Sequence, residues 1–311
     1  MTKYEIAENH SGWLEIRSRG LGGSDIGTVL GLNPYKSIYQ LWLEKTGQVK
    51  PPDISDRIAI QVGNELEDLV ARLFTQETGL KVQRDNKTHF HKKYDFMLAN
   101  IDRKIVGERA LLECKTTSAF NAEQWKNDEV PASYLMQVQH YLNVLDYDKA
   151  YIACLIGNHD FVWKEIKRDQ ELIELYTKQA TSFWNDNVLK NIAPEIDGSM
   201  VTKEALDMRE YEPGKAEPLN KEQKDICLYI NQLKEDVKTI QATQKEYENK
   251  LKDYMGQKEL SELTSSDIYV TYSTVNQVRL DSARLKKEKP EIYNEYSRES
   301  SYKRLTIKEM G

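Results

Sequence analysis

Apolar positions along the first two hundred residues change period several times. Ile60, Leu66, Leu69, Val70 and Phe74 recur at helical spacing and predict an amphipathic helix over 56–77, with Gly79 as its stop. A shorter helix is expected from a Ser37 cap through Leu43, ending at Gly47. Strand-like runs follow at 81–83, 96–101 and 110–116, then a helix from Pro131 or Ala132 to Leu145. Runs at 151–156 and 161–166 flank Gly157-Asn158 and predict a hairpin, and a last helix runs from Asp169 toward Trp184. This succession is α/β, with the sheet in the middle of the segment. The stretch 192–218 collects Pro194, Gly198, Pro213, Gly214 and Pro218 and reads as a linker with room for one short helical turn.

Beyond the linker the period becomes a heptad. Leu219, Ile226, Ile230, Leu233, Val237, Ile240, Tyr247, Leu251 and Tyr254 form one seam, with Gln223 and Gln244 at its two polar positions. A helix of about 55 Å ending at Gly256 is expected, at 1.5 Å per residue. Such a seam serves either a coiled coil with a partner or packing on the helix's own domain. The second is the expectation, because a single seam names no partner. Strands are expected at 268–274, 277–280 and 302–307. The predicted organisation is thus a domain over 1–195, a linker over 196–218 and an extension over 219–311.

Composition narrows the function classes. A chain of 311 residues suits about two domains. With 39% hydrophobic and 30% charged residues it has enough apolar material for a core. A net charge of −6 argues against a polyanion-coating protein, whose affinity comes from a cationic surface. It leaves room for an enzyme that handles nucleic acid in a narrow basic groove. Residues 1–200 carry 24 basic and 29 acidic side chains, whereas residues 276–308 carry 9 and 5. No apolar stretch approaches a membrane span, and the first residues show no signal-peptide core. Cys114, Cys154 and Cys227 fit neither a disulfide framework nor a zinc pattern, so a reducing cytoplasm is expected.

The chemistry-bearing string is Asp102, ten residues, then Glu113-Cys114-Lys115. Alternation at period two puts Glu113 and Lys115 on one strand face and turns Cys114 toward the core. If the two runs form a hairpin, Asp102 comes alongside Glu113. Two carboxylates and a backbone carbonyl then offer an all-oxygen site suited to Mg²⁺ or Mn²⁺, with Lys115 beside a metal-bound water. Alone, the pattern is loose, and a solvated strand face with a surface ion pair accounts for it better.

Three further strings shift that balance. Gln137 and Tyr141 form a polar pair four residues apart on an otherwise apolar helix. Gly63-x-x-x-Glu67 places a glycine mid-helix, where it costs about 1 kcal/mol relative to Ala and suggests close approach of another group. Trp13-x-x-x-Arg17 precedes Gly22-Gly23-Ser24-Asp25, whose ordinary reading is a helix N-cap at Ser24 and whose sharper reading is an anion-binding turn served by Arg17.

The ordered set Trp13, Arg17, GGSD at 22–25, Gly63-x-x-x-Glu67, Asp102, Glu113-x-Lys115 and Gln137-x-x-x-Tyr141 resembles the YqaJ-type viral recombinase nucleases. These are relatives of the phage lambda exonuclease within the PD-(D/E)xK superfamily. The resemblance covers about residues 8–190 and implies a PD-(D/E)xK core, a central mixed sheet flanked by helices. It implies that Asp102, Glu113 and the Cys114 carbonyl bind Mg²⁺, with Mn²⁺ as substitute, and that Lys115 acts on the nucleophilic water. Glu67 matches a helix-borne acid near a second metal. Gln137 and Tyr141 match residues that support the site, and Arg17 and Ser24 match positions that hold a terminal 5′-phosphate. Many relatives have Pro-Asp-Gly where this chain has Ile101-Asp102-Arg103, and Asn100 stands where they have Ser.

The implied activity is 5′→3′ resection of linear duplex DNA, leaving 3′ single strands for a single-strand-annealing recombinase. A homo-oligomer such as a trimeric ring is implied, as is a phage or prophage protein in a bacterial cytoplasm. Two other readings stay open: an endonuclease using the same metal site, and a non-catalytic DNA-binding or recombinase-loading module.

Remaining candidates are expected to be structural. His89 and His91 lack a third ligand and read as surface. His140 fits DNA contact or packing, and Cys154 fits the core. Glycines 22, 23, 27 and 31 make no nucleotide-binding fingerprint. Lys286, Lys287 and Lys289 read as a solvated face, although with Arg279, Arg284 and Arg304 they could track a phosphate backbone.

Overall fold

The computed structural model describes residues 3–51, 53–127 and 129–308. The chain divides into two compact units, the first ending at Tyr211 and the second beginning at Glu212.

The first unit opens with β1 (Lys3–Glu5), α1 (His10–Ser18), α2 (Gly23–Val29), α3 (Ile38–Lys45) and α4 (Ile58–Thr78). Ser37 caps α3 by accepting from the Gln40 N–H. Gly79 ends α4 in the left-handed conformation at φ 73°, which glycine adopts without a Cβ clash. Next come β2 (Val82–Arg84), β3 (Thr88–Phe90), β4 (Leu98–Ala99), β5 (Arg103–Ile105) and β6 (Ala110–Thr117). Then follow α5 (Ala132–Leu145), β7 (Lys149–Ile156), β8 (Asp160–Lys167), α6 (Gln170–Ser182) and α7 (Met200–Met208). A π-helical turn over Phe183–Val188 extends α6.

The central sheet has the order β2-β5-β6-β7-β8. β6 and β7 are parallel and the other neighbours antiparallel, so the sheet is mixed. The parallel pair needs a crossover, and α5 lies within it. Side-chain alternation sends the strands' two faces into separate clusters. Leu111, Ile152, Cys154 and Ile156 pack with Val138, Leu142 and Leu145 of α5. Leu112, Tyr151 and Ala153 pack with Val70, Ala71 and Phe74 of α4. Helices on both faces of a mixed sheet are the expected architecture, and Cys154 is the buried core residue anticipated. A second sheet, β1-β3-β4, contains strands β1 and β3 that no hydrophobic run announced. The run at 96–101 is strand only at Leu98–Ala99.

The segment expected as linker carries α7, which packs on α3. Ala205 is fully buried in the core, and Arg209 donates to the Tyr39 hydroxyl at 3.0 Å.

The second unit consists of α8 (Lys221–Gln257), β9 (Glu262–Thr264), β10 (Tyr269–Thr271), α9 (Ser282–Glu288) and α10 (Pro290–Tyr296). A capping box of Asn220 and Gln223 starts α8. Packing of the seam on its own domain is not what forms. Within this unit Ile226, Leu233, Val237, Ile240, Tyr247, Leu251 and Tyr254 are exposed, and among its described residues only Met255 is buried. The elements that follow are three to seven residues long and cannot cover a 37-residue helix. The strands expected at 277–280 and 302–307 are absent among the described residues.

Candidate active site

The β5–β6 hairpin sets Arg103 opposite Leu112, which brings the preceding residue, Asp102, alongside Glu113. Asp102 Oδ2 accepts from the Cys114 N–H at 2.8 Å. Glu113 is 2% exposed and its Oε1 accepts from Lys115 Nζ at 2.6 Å and from Gln137 Nε2 at 2.7 Å. Gln137 and Tyr141 are both buried. They lie one turn apart on the buried face of α5, where Gln137 Nε2 donates to the Tyr141 hydroxyl at 2.9 Å and Gln137 Oε1 accepts from Lys115 at 3.2 Å. The structure thus brings Asp102, Glu113, Lys115, Gln137 and Tyr141 into one group. Cys114 turns to the other face, against the α4 cluster.

Charge in this group is unbalanced. Burial, then the Glu113 carboxylate, pushes the Asp102 carboxyl up to about 8. Burial opposes the charged form of Lys115, but Glu113 and Asp102 outweigh it and hold its ammonium protonated well above its ordinary range. Glu113 Oε2 is buried without a hydrogen-bond partner among the described residues. Two desolvated carboxylates, one of them with an orphaned oxygen, are a donor set that fits a hard divalent cation.

Glu67 stands outside these hydrogen bonds, although its charge adds to those that raise the Asp102 carboxyl. From α4 its Oε1 accepts from Arg103 Nη1 at 2.5 Å and from Arg84 Nη2 at 3.5 Å, while the neighbouring Asp68 binds the same two arginines. No group of three His, Cys, Asp or Glu side chains among the described residues converges on a metal position. Gly63 has only ordinary room: a Cβ there would lie 3.6 Å from Thr116 Oγ1.

The N-terminal turn forms a second group. Arg17 lies over the Trp13 ring, 5.0 Å from its centroid, and its Nη2 donates to Ser24 Oγ at 2.7 Å. Ser24 is not the N-cap. Gly22 takes that position and Asp25 closes the box from the third helical residue, accepting from the Gly22 N–H at 3.0 Å. A helix starting two residues earlier leaves the Ser24 hydroxyl free for Arg17. Lys45 Nζ ties this turn to α3, reaching Asp25 Oδ2 at 3.0 Å and the Arg17 carbonyl at 3.1 Å. Burial raises the Asp25 pKa, but Lys45 and Arg17 overcome it and hold the carboxyl well below the usual range.

Gly23 joins the two groups. A Cβ on it would lie 2.6 Å from Tyr141 Cε1 and 2.8 Å from Gln137 Cγ, so α2 approaches α5 only through glycine. Nothing in the local pattern marks this contact, or those of Lys45, Arg84 and Arg103, because each partner is distant in sequence.

His89 and His91 are more buried than expected. His89 is 3% exposed rather than on the surface, because Asp85 takes its Nε2 at 2.9 Å and Asn100 supports the neighbouring Thr88 hydroxyl. His91 is half-buried, its Nδ1 accepting from the Lys93 and Tyr94 N–H groups. His140 is fully buried with Nε2 2.9 Å from the Leu98 carbonyl, so of its two readings packing holds and DNA contact does not.

Among known proteins, the YqaJ-like viral recombinase domain family matches residues 12–148. Protein YqaJ of Bacillus subtilis is 43% identical over 303 residues, spanning 96% of this chain and 94% of that one. The chain belongs to the YqaJ-like viral recombinase family. Among solved structures, the alkaline exonuclease of Laribacter hongkongensis is similar with a TM-score of 0.49 at 16% identity, over 58% of this chain and 94% of that one. A phage-related exonuclease from Haemophilus somnus is similar with a TM-score of 0.43 at 16% identity, over 56% and 96%. Among the described residues, no helix is long and apolar enough to cross a membrane.

Proposed function

We propose that this chain is a Mg²⁺-dependent DNA exonuclease that resects linear duplex 5′→3′, with Mn²⁺ able to substitute. The observation that carries the reading is the half-buried Asp102 beside Lys115 and the buried Glu113, with Glu113 Oε2 left without a partner among the described residues. Asp102, Glu113 and the Cys114 carbonyl would hold the ion, which when bound lowers the pKa of a water and offsets charge on the phosphorane. Gln137 fixes the Glu113 carboxylate by donating to Oε1, and the Tyr141 hydroxyl, accepting from the same amide nitrogen, holds Gln137 in place. Lys115 orients the attacking water and, being held protonated, offsets negative charge near the scissile phosphate. Arg17, stacked on Trp13 and aimed at Ser24, is a bidentate donor suited to a terminal 5′-phosphate.

On this reading the substrate is a duplex end and the product a 3′ single strand for a single-strand-annealing recombinase. The chain works as a homo-oligomer such as a trimeric ring, inside a bacterial cytoplasm as a phage or prophage protein.

Digestion of linear duplex in Mg²⁺ is the test. Asp102→Ala and Lys115→Ala should each lower the rate by about a hundredfold or more, the scale of losing a metal ligand or a charge-stabilising donor. Equal digestion by variants and wild type would refute the site. A covalently closed circle should survive, and its opening would point to the endonuclease instead. Arg17→Lys keeps the charge but loses the planar fork, so the preference for 5′-phosphorylated over 5′-hydroxyl ends should shrink about tenfold.

A further inference from the structure

Arg103 follows Asp102 directly, yet its side chain turns to the α4 face of the sheet, the face of its cross-strand partner Leu112. Its side chain is 4% exposed and its guanidinium meets three acceptors: Nη1 donates to Glu67 Oε1 at 2.5 Å and to the Asp102 carbonyl at 2.8 Å, and Nη2 donates to Asp68 Oδ1 at 2.5 Å. Arg84, paired with Arg103 across β2 and β5, reaches the same two acids at 3.5 and 2.9 Å. Here two cations face two anions. On the other side of the hairpin the half-buried Asp102 and the buried Glu113 face one lysine, and one Glu113 oxygen is unpartnered among the described residues. The demand for positive charge therefore lies with Asp102 and Glu113 and is met already at Glu67.

We propose that Arg103 is a positioning residue that holds Glu67 as an ion-pair partner, so that the site takes one divalent cation, at Asp102 and Glu113, and not two. An ion recruited by Glu67 would have to draw that carboxylate off a buried guanidinium and leave it only Asp68, whose side chain is 68% exposed, as counter-charge, which is unfavourable. Its contact to the Asp102 carbonyl gives Arg103 a second task, because it ties the α4 acids to the peptide that carries the metal-binding carboxylate. The proposal rests on the metal-site reading above and adds the number of ions and the residue that sets it.

Mn²⁺ titration of the full chain, followed by electron paramagnetic resonance of the free ion, tests this without DNA or turnover. Wild type should bind one Mn²⁺ per chain, and Glu113→Gln should abolish that binding. Glu67→Gln should leave one ion, bound within about threefold of wild type, since it is not a ligand. Arg103→Gln should expose Glu67 and Asp68 and admit a second, weaker ion, lost again when Glu67→Gln is added. Two ions on wild type, or a loss of about tenfold or more with Glu67→Gln, would overturn the proposal while leaving a metal site in place. Should Arg103→Gln fail to fold, the wild-type and Glu67→Gln titrations decide by themselves. No Mn²⁺ on wild type would sink the metal-site reading, and this proposal with it.

Discussion

Gly23 is constrained by a neighbour and not by its own helix. A methyl group at this position meets the Tyr141 ring at 2.6 Å and Gln137 Cγ at 2.8 Å, distances real Cβ atoms do not keep. Gly23→Ala would gain helix propensity and still lose stability, because overpacking a rigid contact costs about 1–3 kcal/mol. The relief available is to move α5, which takes Gln137 from Glu113 Oε1. Urea unfolding should show the loss together with a drop in DNA digestion. Wild-type stability and activity in this variant would mean that the α2–α5 distance is set by other contacts.

At the scale of elements, α5 carries both the support for Glu113 and a buried titratable group. Burial pushes the His140 imidazole down to about 4, against about 6.5 in the unfolded chain. Between those values the unfolded state binds more protons, so this histidine's contribution rises with pH across the window. It is fully present above about pH 6.5 and is lost as pH falls toward 4, to a maximum of ~3 kcal/mol. Asp102 acts in the opposite sense in metal-free protein: its carboxyl, held up near 8, favours the folded state at low pH and disfavours it as pH rises. The informative quantity is therefore the difference between wild type and His140→Gln. Urea midpoints at pH 7.5 and pH 5.0 should fall further in wild type than in the variant on acidification. Equal falls would mean that His140 is not kept neutral by its surroundings.

For the whole molecule, both large apolar clusters lie before Tyr211, and α7 contributes Ala205 to the larger of them. A chain ending after Tyr211 should therefore unfold cooperatively in urea and keep its Mn²⁺ site. One ending at residue 195 loses the α7 packing and the Arg209–Tyr39 bond, and should be less stable by about 2–4 kcal/mol. If the two truncations unfold alike, α7 is not part of the core. A first unit that stays unfolded without residues 212–311 would show that the division at Tyr211 does not mark independent folding.

Local periods made much of this chain legible from its residues alone. The helices at 58–78, 132–145 and 221–257, the hairpin around Gly157 and the alternation of Glu113 and Lys115 all follow from side-chain spacing within one element. Asp102 beside Glu113 also follows, since an antiparallel hairpin fixes who faces whom. The tertiary structure decided what spacing cannot encode. It buried Gln137, Tyr141, His89 and His140, which a surface pattern fits equally well, and it left the α8 seam uncovered within its own unit. It set Arg103 against Glu67 across 36 residues and Gly23 against Tyr141 across 118. Periodicity reports which side of an element is apolar. Which distant side chain neutralises a carboxylate, or meets a glycine, depends on where two elements cross, and that is known only once the chain has folded.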